Sequence, residues 1–332
     1  MTLVVEALNE ALRSSLEDSE QVYFLGEDIL DPYGGAFKVA RGLSTAFPER
    51  VITTPVSEAA IVGIGVGMAL RGLRPVVEVM FGDFLLLAAD QIINHAAKMR
   101  WMSNGRTSVP LVIRTPMGGR RGYGPTHSQT LEKHFLGAPG LQVVAVGALG
   151  DPKELLRRAI LDDEDPVLFV EHKLLYACPV LKHDEVPEFE VETLGDRYPM
   201  YRLRLEGAPR PSVTLICYGY MAELARQAVR QLAYEYEVFT ELLVYTRLSP
   251  LRIEPLLESV RGTRRLIVAE EGTRTLGWGA EVLARVVEAM AGPVAVRRVA
   301  AQDCPVPAAG TLEDAVLPQA GDLVRAALDL VR

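Results

Sequence analysis

The sequence predicts an α/β protein of two doubly wound domains, each built on a mostly parallel sheet. Three observations carry this. Short β-branched runs alternate with longer helical patterns along most of the chain, the order that crossover-connected parallel strands require. The alternation lapses once, between about 177 and 210, and then restarts. With 332 residues, 49% of them apolar, the chain is long enough to close two separate cores.

The opening stretch TLVVEALNEALRSSL sets Val4, Leu8, Leu12 and Leu16 at helical spacing with Glu6 and Glu10 between them, so the chain begins with an amphipathic helix. A strand, QVYFLGED, is followed by the Gly-rich DPYGGAF and a polar run to Arg50. VITT (51–54) reads as a strand that meets Pro55, and a helix runs from about Ser57 to Leu70. RPVVEVMF (74–81) has the β-branched content of a buried strand, and DFLLLAADQIINHAAKMRWM (83–102) reads as one long helix. The strand VPLVIRT empties into the loop PMGGRRGYGPTH. A helix from about Ser128, the strand LQVVAVG, a helix at 152–162 and the strand PVLFVEH complete a first domain at 1–185. Residues 186–204, rich in Pro and charge, read as a linker with room for an edge hairpin. From 205 to 332 strands and helices alternate again, from SVTLICYG and MAELARQAVRQLAYEY to RRLIVAEE, GWGAEVLARVVEAM and VAVRRVA.

A formal net charge of −8 opposes nucleic acid or an anionic membrane as the main partner, since both call for a cationic footprint. Cys178, Cys217 and Cys304 are odd in number, widely spaced and form no CxxC pair, which predicts reduced thiols in a cytoplasmic protein. The start lacks the basic residues and unbroken apolar run of a secretory signal, and no apolar stretch reaches a bilayer span, so a soluble chain with no membrane partner is expected.

Familiar motifs fail in detail. GIGVG (63–67) would need a glycine at residue 68 to make a dinucleotide fingerprint, and Met68 stands there; the glycines lie inside a helix and read as close packing. Gly119 to Gly124 has phosphate-loop spacing, but Pro125 and Thr126 replace the Lys-Ser/Thr pair. His127 and His134 have no third ligand at metal spacing, and His95, His172 and His183 read as core or surface histidines. In open parallel sheets ligands collect beyond the carboxyl ends of the strands. The loops there, Pro55–Glu58, Gly82–Phe84 and Met117–His127, pool a carboxylate, an aromatic ring and a histidine. Each also has an ordinary explanation: Glu58 suits a helix N-terminus beside Ser57, Phe84 fills a core, and His127 caps the helix expected from Ser128.

The order of segments resembles the beta subunit of thiamine-diphosphate-dependent 2-oxo-acid dehydrogenases (the pyruvate, branched-chain and acetoin types). The likeness runs from GEDILDPYGGAFKVARGLSTAFPERVITTPVSEAAIVGIGVGMALRGLRPVVEVMFGDF through DQIINHAAKMRWMSNG, VPLVIRTPMGG, HSQTLEKHFLGAPGLQVV and DPVLFVEHKLLY to VLPQAGDLVRAAL. It implies a transketolase-like pyrimidine-binding domain followed by a transketolase C-terminal-like domain, which in the family makes the beta–beta contact and docks the lipoyl acyltransferase core. The coenzyme brings its own electron sink; the protein supplies binding, orientation and electrostatics.

The resemblance implies that Glu58 bonds the ring nitrogen of the aminopyrimidine, that Phe84 lies against that ring with Leu87 nearby, and that His127 reaches the coenzyme's reactive end to exchange protons. Arg120 and Arg121 then bring positive charge to a mobile loop facing an anionic 2-oxo acid. The resemblance further implies potassium on the main-chain carbonyls of Leu111, Ala159, Ile160 and Asp162, although AILDDEDP is one residue longer than the usual pattern and leaves a fifth ligand unplaced. Gly137 stands where many relatives carry a second histidine, and RRGYGP differs from the common pyruvate-type loop, so the sequence leaves the 2-oxo acid and the acyl acceptor open.

The diphosphate needs a divalent cation and an anion cradle. Gly82-Asp83, Gly195-Asp196 and Gly321-Asp322 all lack the next glycine of a GDG motif; the resemblance then implies an alpha subunit that brings Mg2+ and the diphosphate module, in the family's heterotetramer of two alpha and two beta chains. The expected activity is oxidative decarboxylation of a 2-oxo acid with acyl transfer to a lipoyl domain. A transketolase or acyloin-type carboligase subunit and a non-catalytic assembly subunit are the alternatives. A scaffold, however, has no use for Glu58, Phe84 and His127 together. Glu270 and Glu271, at a strand end, read equally as functional or as an exposed acidic edge.

Overall fold

The structure, a computed structural model, describes residues 2–182, 184–195 and 197–332, so His183 and the aspartate of the Gly195-Asp196 pair lie outside the described residues. Two compact units account for the chain: Met1–Met117 with His134–Val180, and Gly118–Lys133 with Leu181–Arg332. Among the described residues no helix is long and apolar enough to cross a membrane.

The first unit contains α1 (Val4–Asp18), β1 (Val22–Gly26), α2 (Leu43–Ala46), β2 (Val51–Thr53), α3 (Glu58–Leu70), β3 (Arg74–Glu78), α4 (Met99–Met102), β4 (Val112–Met117), β5 (Gln142–Ala145), α5 (Pro152–Leu161) and β6 (Val167–His172). Its strands lie in the order β5-β6-β4-β3-β1-β2, and each pairing is parallel. β1 has β2 on one side and β3 on the other. The chain therefore reverses its direction of travel across the sheet at β1, which opens a crevice at the carboxyl ends of these strands. Val76, Val77, Ile113, Leu168 and Phe169 are fully buried in the sheet, and α1 buries Val4, Leu8, Leu12 and Leu16. Asp151 caps α5 by accepting the Glu154 N–H at 3.0 Å, with Pro152 at the first position. Such a cap is worth about 1 kcal/mol.

Three sequence expectations meet a different structure. The helix expected over 83–102 is broken into a tight 3₁₀ segment at Gly82–Ala88, a wide π-type turn at Gln91–Ala96, and α4. Leu85, Ala88, Ile92 and Ala96 are buried at spacings of three, four and four, with Ala97 beside them, and Leu86 and Leu87 turn outward, so the apolar face the sequence shows is kept although the pitch changes along it. No helix starts at Ser128; only the single turn Glu132–His134 forms. Ser128 and Glu132 are drawn into the core of the second unit instead. The glycines of α3 do not pack alike: a Cβ on Gly65 would come within 2.9 Å of Leu111 and Val77, whereas Gly67 faces open space.

The second unit contains β7 (Phe189–Leu194), β8 (Met200–Leu205), β9 (Val213–Tyr218), α6 (Met221–Tyr236), β10 (Thr240–Tyr245), β11 (Arg247–Ser249), α7 (Glu254–Thr263), β12 (Arg265–Thr273), α8 (Trp278–Ala289), β13 (Ala295–Ala301), α9 (Gly310–Val316) and α10 (Ala320–Val331). Its sheet runs β13-β12-β9-β10-β8-β7. The pairings are parallel from β13 to β10 and antiparallel at β8 and β7. The stretch read as a linker thus holds an edge hairpin, β7–β8. Its charges pair across the strands, Glu190 opposite Arg204 and Glu192 opposite Arg202, which lets a charge-rich sequence run as sheet. Trp278 centres the core of this unit, with Tyr218 and Tyr245 edge-on, each at 5.2 Å between ring centroids.

Candidate active site

Glu58 is the first residue of α3, just past the carboxyl end of β2. It is only 6% exposed. Ser57, at the cap position, makes no side-chain cap bond; its backbone amide opposes the rise in pKa of Glu27, which follows β1 and is 5% exposed. Burial raises the Glu27 pKa, and the charge of Glu58 raises it further. Glu27 Oε1 has no hydrogen-bond partner, and no cation or donor pairs with Glu58 among the described residues. Two adjoining buried carboxylates without a cation are unfavourable unless a proton or a ligand donor meets them. A helix-terminal acid serving only the macrodipole needs no burial, so the dipole alone does not account for Glu58.

Phe84 is half-buried at the start of the 3₁₀ segment, and Leu87, one turn on, is 62% exposed. Phe84 closes an aromatic chain: its ring is 6.1 Å edge-on from Phe81, which is 5.5 Å from Phe37, which is 5.4 Å from Tyr176. These contacts fix the ring while leaving part of it open.

Sequence reasoning missed both Glu27 and the network along the carboxyl ends of β3, β4 and β6. Arg114 pairs with Glu78 through Nη1 and with Glu171 through Nε at 2.9 Å and Nη2 at 2.6 Å. The Tyr176 hydroxyl donates to Glu171 at 2.7 Å. All four side chains are buried. Burial alone would lower the Arg114 pKa, but Glu171 and Glu78 outweigh it and hold the guanidinium charged; burial pushes Glu78 up. One signal was available, namely Glu78, Arg114 and Glu171 each set directly after two or more apolar residues of a buried strand.

His127 belongs to the second unit, on Gly118–Lys133. It is half-buried, its Nδ1 lies 2.9 Å from Thr126 Oγ1, and no helix follows for it to cap. Arg120, expected to carry charge toward a 2-oxo acid, uses it within the second unit: its side chain is largely buried and bonded to Glu271, Gln319 and the Pro318 carbonyl. Arg121 stays exposed, its guanidinium 5.6 Å from the Tyr123 ring. Glu270 and Glu271 are likewise buried, not an exposed acidic edge. His134 is exposed in the first unit; His172 is buried there and accepts the Leu174 N–H at 3.2 Å. His95 is exposed, 3.2 Å from Asp90.

Leu111, Ala159, Ile160 and Asp162 all lie in the first unit. The Leu111 carbonyl accepts the Val167 N–H at 2.9 Å. The Ile160 carbonyl already accepts Arg74 Nη1 at 3.0 Å, as does that of Asp163 at 2.9 Å. Asp162 caps the C-terminus of α5.

Fold and carboxyl-edge residues together define a chain of two doubly wound units, the first with buried acids at the carboxyl ends of its strands. Residues 3–179 match the transketolase pyrimidine-binding domain family, and residues 205–323 the transketolase C-terminal domain family. The chain is 38% identical to the mitochondrial pyruvate dehydrogenase E1 component subunit beta-1 of Arabidopsis thaliana, covering 97% of this chain and 87% of that protein. It is 37% identical to the pyruvate dehydrogenase E1 component subunit beta of Gracilaria tenuistipitata var. liui, covering 99% of each. With the mitochondrial subunit beta of Saccharomyces cerevisiae the identity is 33%, over 99% of this chain and 88% of that one. A split-gene transketolase, described as an inactive beta4 tetramer, shares the fold at a TM-score of 0.78 and 20% identity, covering 100% of this chain and 99% of that one. The chain belongs to the beta subunits of 2-oxo-acid dehydrogenase E1 components, a family of transketolase-like domains.

Proposed function

We propose that this chain works with an alpha subunit in thiamine-diphosphate-dependent oxidative decarboxylation of a 2-oxo acid, with the acyl group passing to a lipoyl domain of an acyltransferase core. The observation that carries this is the Glu58–Glu27 pair: two buried carboxylates close enough for the charge of Glu58 to raise the Glu27 pKa, one with an orphaned oxygen and, among the described residues, neither paired with a cation. That pair fits an aminopyrimidine, whose ring nitrogen takes a proton from, or shares one with, Glu58.

When bound, the coenzyme supplies the electron sink for loss of CO2. Glu58 holds the proton on the far side of the pyrimidine, and Glu27, whose pKa burial and the charge of Glu58 raise, lines the same end of the strands. Phe84 and Leu87 offer an apolar face to the ring and exclude water beside it. His127 exchanges protons with the substrate or acyl acceptor, a role suited to an imidazole near neutral pH.

The pyrimidine-binding part corresponds to 1–185, the C-terminal-like part to 205–332 and the join to 186–204. Mg2+ and the diphosphate cradle come from the alpha subunit, in a heterotetramer of two alpha and two beta chains. A potassium ion would be held by the carbonyls of Leu111, Ala159, Ile160 and Asp162 and would steady the end of α5; the Ile160 carbonyl already accepts Arg74. The free cysteines suit a reducing compartment, and we assign the cytoplasm.

Calorimetry with thiamine diphosphate on the chain reconstituted with its alpha partner tests the reading. Binding absent from the alpha chain alone is expected; equal binding without this chain would leave it a scaffold. Faster turnover with aldehyde acceptors than with lipoyl protein would instead identify a carboligase subunit.

A further inference from the structure

The segment Gly118–Lys133 folds as part of the second unit, and its backbone donors converge on two buried carboxylates of that unit. Glu271, near the end of β12, accepts the Gly119 N–H through Oε1 at 2.9 Å. Glu313, on α9, accepts the Arg120 N–H through Oε1 at 2.7 Å and the Gly122 N–H through Oε2 at 3.0 Å. The Arg120 side chain repeats the pattern, with Nε to Glu271 Oε2 at 3.1 Å, Nη2 to the Pro318 carbonyl at 2.5 Å and Nη1 to Gln319 Oε1 at 3.3 Å.

The backbone is shaped for this. Gly118, Arg120, Gly122 and Gly124 all have positive φ, so alternate residues turn successive N–H groups to one side, as in an anion-binding nest. Here the anions are side chains of the same polypeptide. The fit is close: a Cβ on Gly119 would lie 2.6 Å from Leu317 Cδ1 and 3.0 Å from Glu313 Oε1. Buried charge-assisted bonds of this kind are among the stronger hydrogen bonds, and a carboxylate stripped of its donors leaves an uncompensated buried charge. The base of the loop is therefore held, while Arg121, Tyr123 and Thr126 remain exposed on its outer part beside the half-buried His127.

We propose that Glu271 and Glu313 are positioning residues for the reaction, a double carboxylate clamp that sets the loop bearing His127. The inference rests on the role given above to His127. Neither glutamate touches substrate or coenzyme. They act by holding the backbone of residues 119–122, so that Arg121, Tyr123 and His127 are presented from a fixed base. A displacement of about 1 Å in a catalytic group can cost about a hundredfold in rate, so release of the base is felt in catalysis.

The test uses Glu313→Gln and Glu271→Gln in the assembled enzyme with its alpha subunit. Each amide keeps one acceptor and turns an N–H donor toward the groups the lost oxygen held, so the loop is loosened while the packing volume is kept. Limited trypsin digestion, followed by mass spectrometry at the Arg120–Arg121 and Arg121–Gly122 bonds, reads the loop directly. The expected result is cleavage faster by about tenfold or more, kcat/KM for the 2-oxo acid lower by about tenfold to a hundredfold, and unchanged affinity for thiamine diphosphate. A role confined to stability would lower Tm and leave cleavage and kcat/KM unchanged in the folded enzyme, and that result overturns the proposal. Faster cleavage with unchanged kcat/KM also overturns it. His127→Gln, assayed in parallel, separates the causes: if it too is silent, the reading of His127 has failed; if it is impaired, the clamp has.

Discussion

Glu132→Gln isolates one buried proton. Glu132 is fully buried in the second unit; its Oε1 accepts the Tyr218 hydroxyl, and its Oε2 has no hydrogen-bond partner among the described residues. Burial pushes its pKa from the ordinary 4.5 up to about 7; the Tyr218 bond opposes this and the charge of Glu270 adds to it. The folded chain thus keeps a proton over an interval in which the unfolded chain has already released it. Stability is highest below the unfolded value, declines as pH rises from about 4.5 to about 7, and is level above. At about 1.4 kcal/mol per pH unit, that interval amounts to ~3 kcal/mol. A glutamine keeps the oxygen that Tyr218 donates to and has no proton to lose. The variant is expected within about 1 kcal/mol of the parent at pH 5 and ~3 kcal/mol more stable at pH 8. Urea denaturation at the two pH values measures this. An equal difference at both would show that Glu132 does not hold a proton in the folded state, and would refute the reasoning.

Arg114→Met leaves Glu78 and Glu171 buried without their cation, and should cost about 3–5 kcal/mol in denaturant unfolding; a loss below about 1 kcal/mol would mean that the two carboxylates are neutral or hydrated. Gly65→Ala drives a methyl within 2.9 Å of Leu111 and Val77 and should destabilise by about 1–3 kcal/mol. Gly67→Ala, with nothing in its way, should be neutral or stabilise by about 0.5–1 kcal/mol, and similar Tm values for the two variants would contradict the packing described for α3. Potassium at the Ile160 carbonyl predicts a higher Tm in KCl than in NaCl at equal ionic strength; identical values would remove the ion.

Where burial follows directly from residue type, the fold is legible in the sequence. β-branched runs such as those at 74–81 and 166–172 contain strands β3 and β6, and the helix expected from Ser57 to Leu70 is α3, with Glu58 at its first position. Reading failed where tertiary contacts choose the conformation. Over 83–102 the apolar residues satisfy a helical period and one face is buried as expected, yet the chain changes pitch twice, which the period does not reveal. Ser128 to Lys133 has local helix character, but Glu132 bonds Tyr218, a partner 86 residues away that no local pattern reveals.

The surroundings of Glu58 show the same division. A carboxylate after VITT can be found by its place at a strand-to-helix junction; its neighbour Glu27 depends on β1 and β2 lying side by side, with Gly26 opposite Thr53. The burial of Arg120 is not legible locally, because its partners Glu271 and Glu313 come from distant elements.

The most direct measurement is turnover of Glu58→Gln in the reconstituted enzyme, using an artificial dye as electron acceptor so that only decarboxylation is read. With subunit assembly and Tm unchanged, decarboxylation should fall by at least about a hundredfold, because the amide cannot supply the pyrimidine nitrogen with a proton. Parental decarboxylation by an assembled, folded variant would contradict the account.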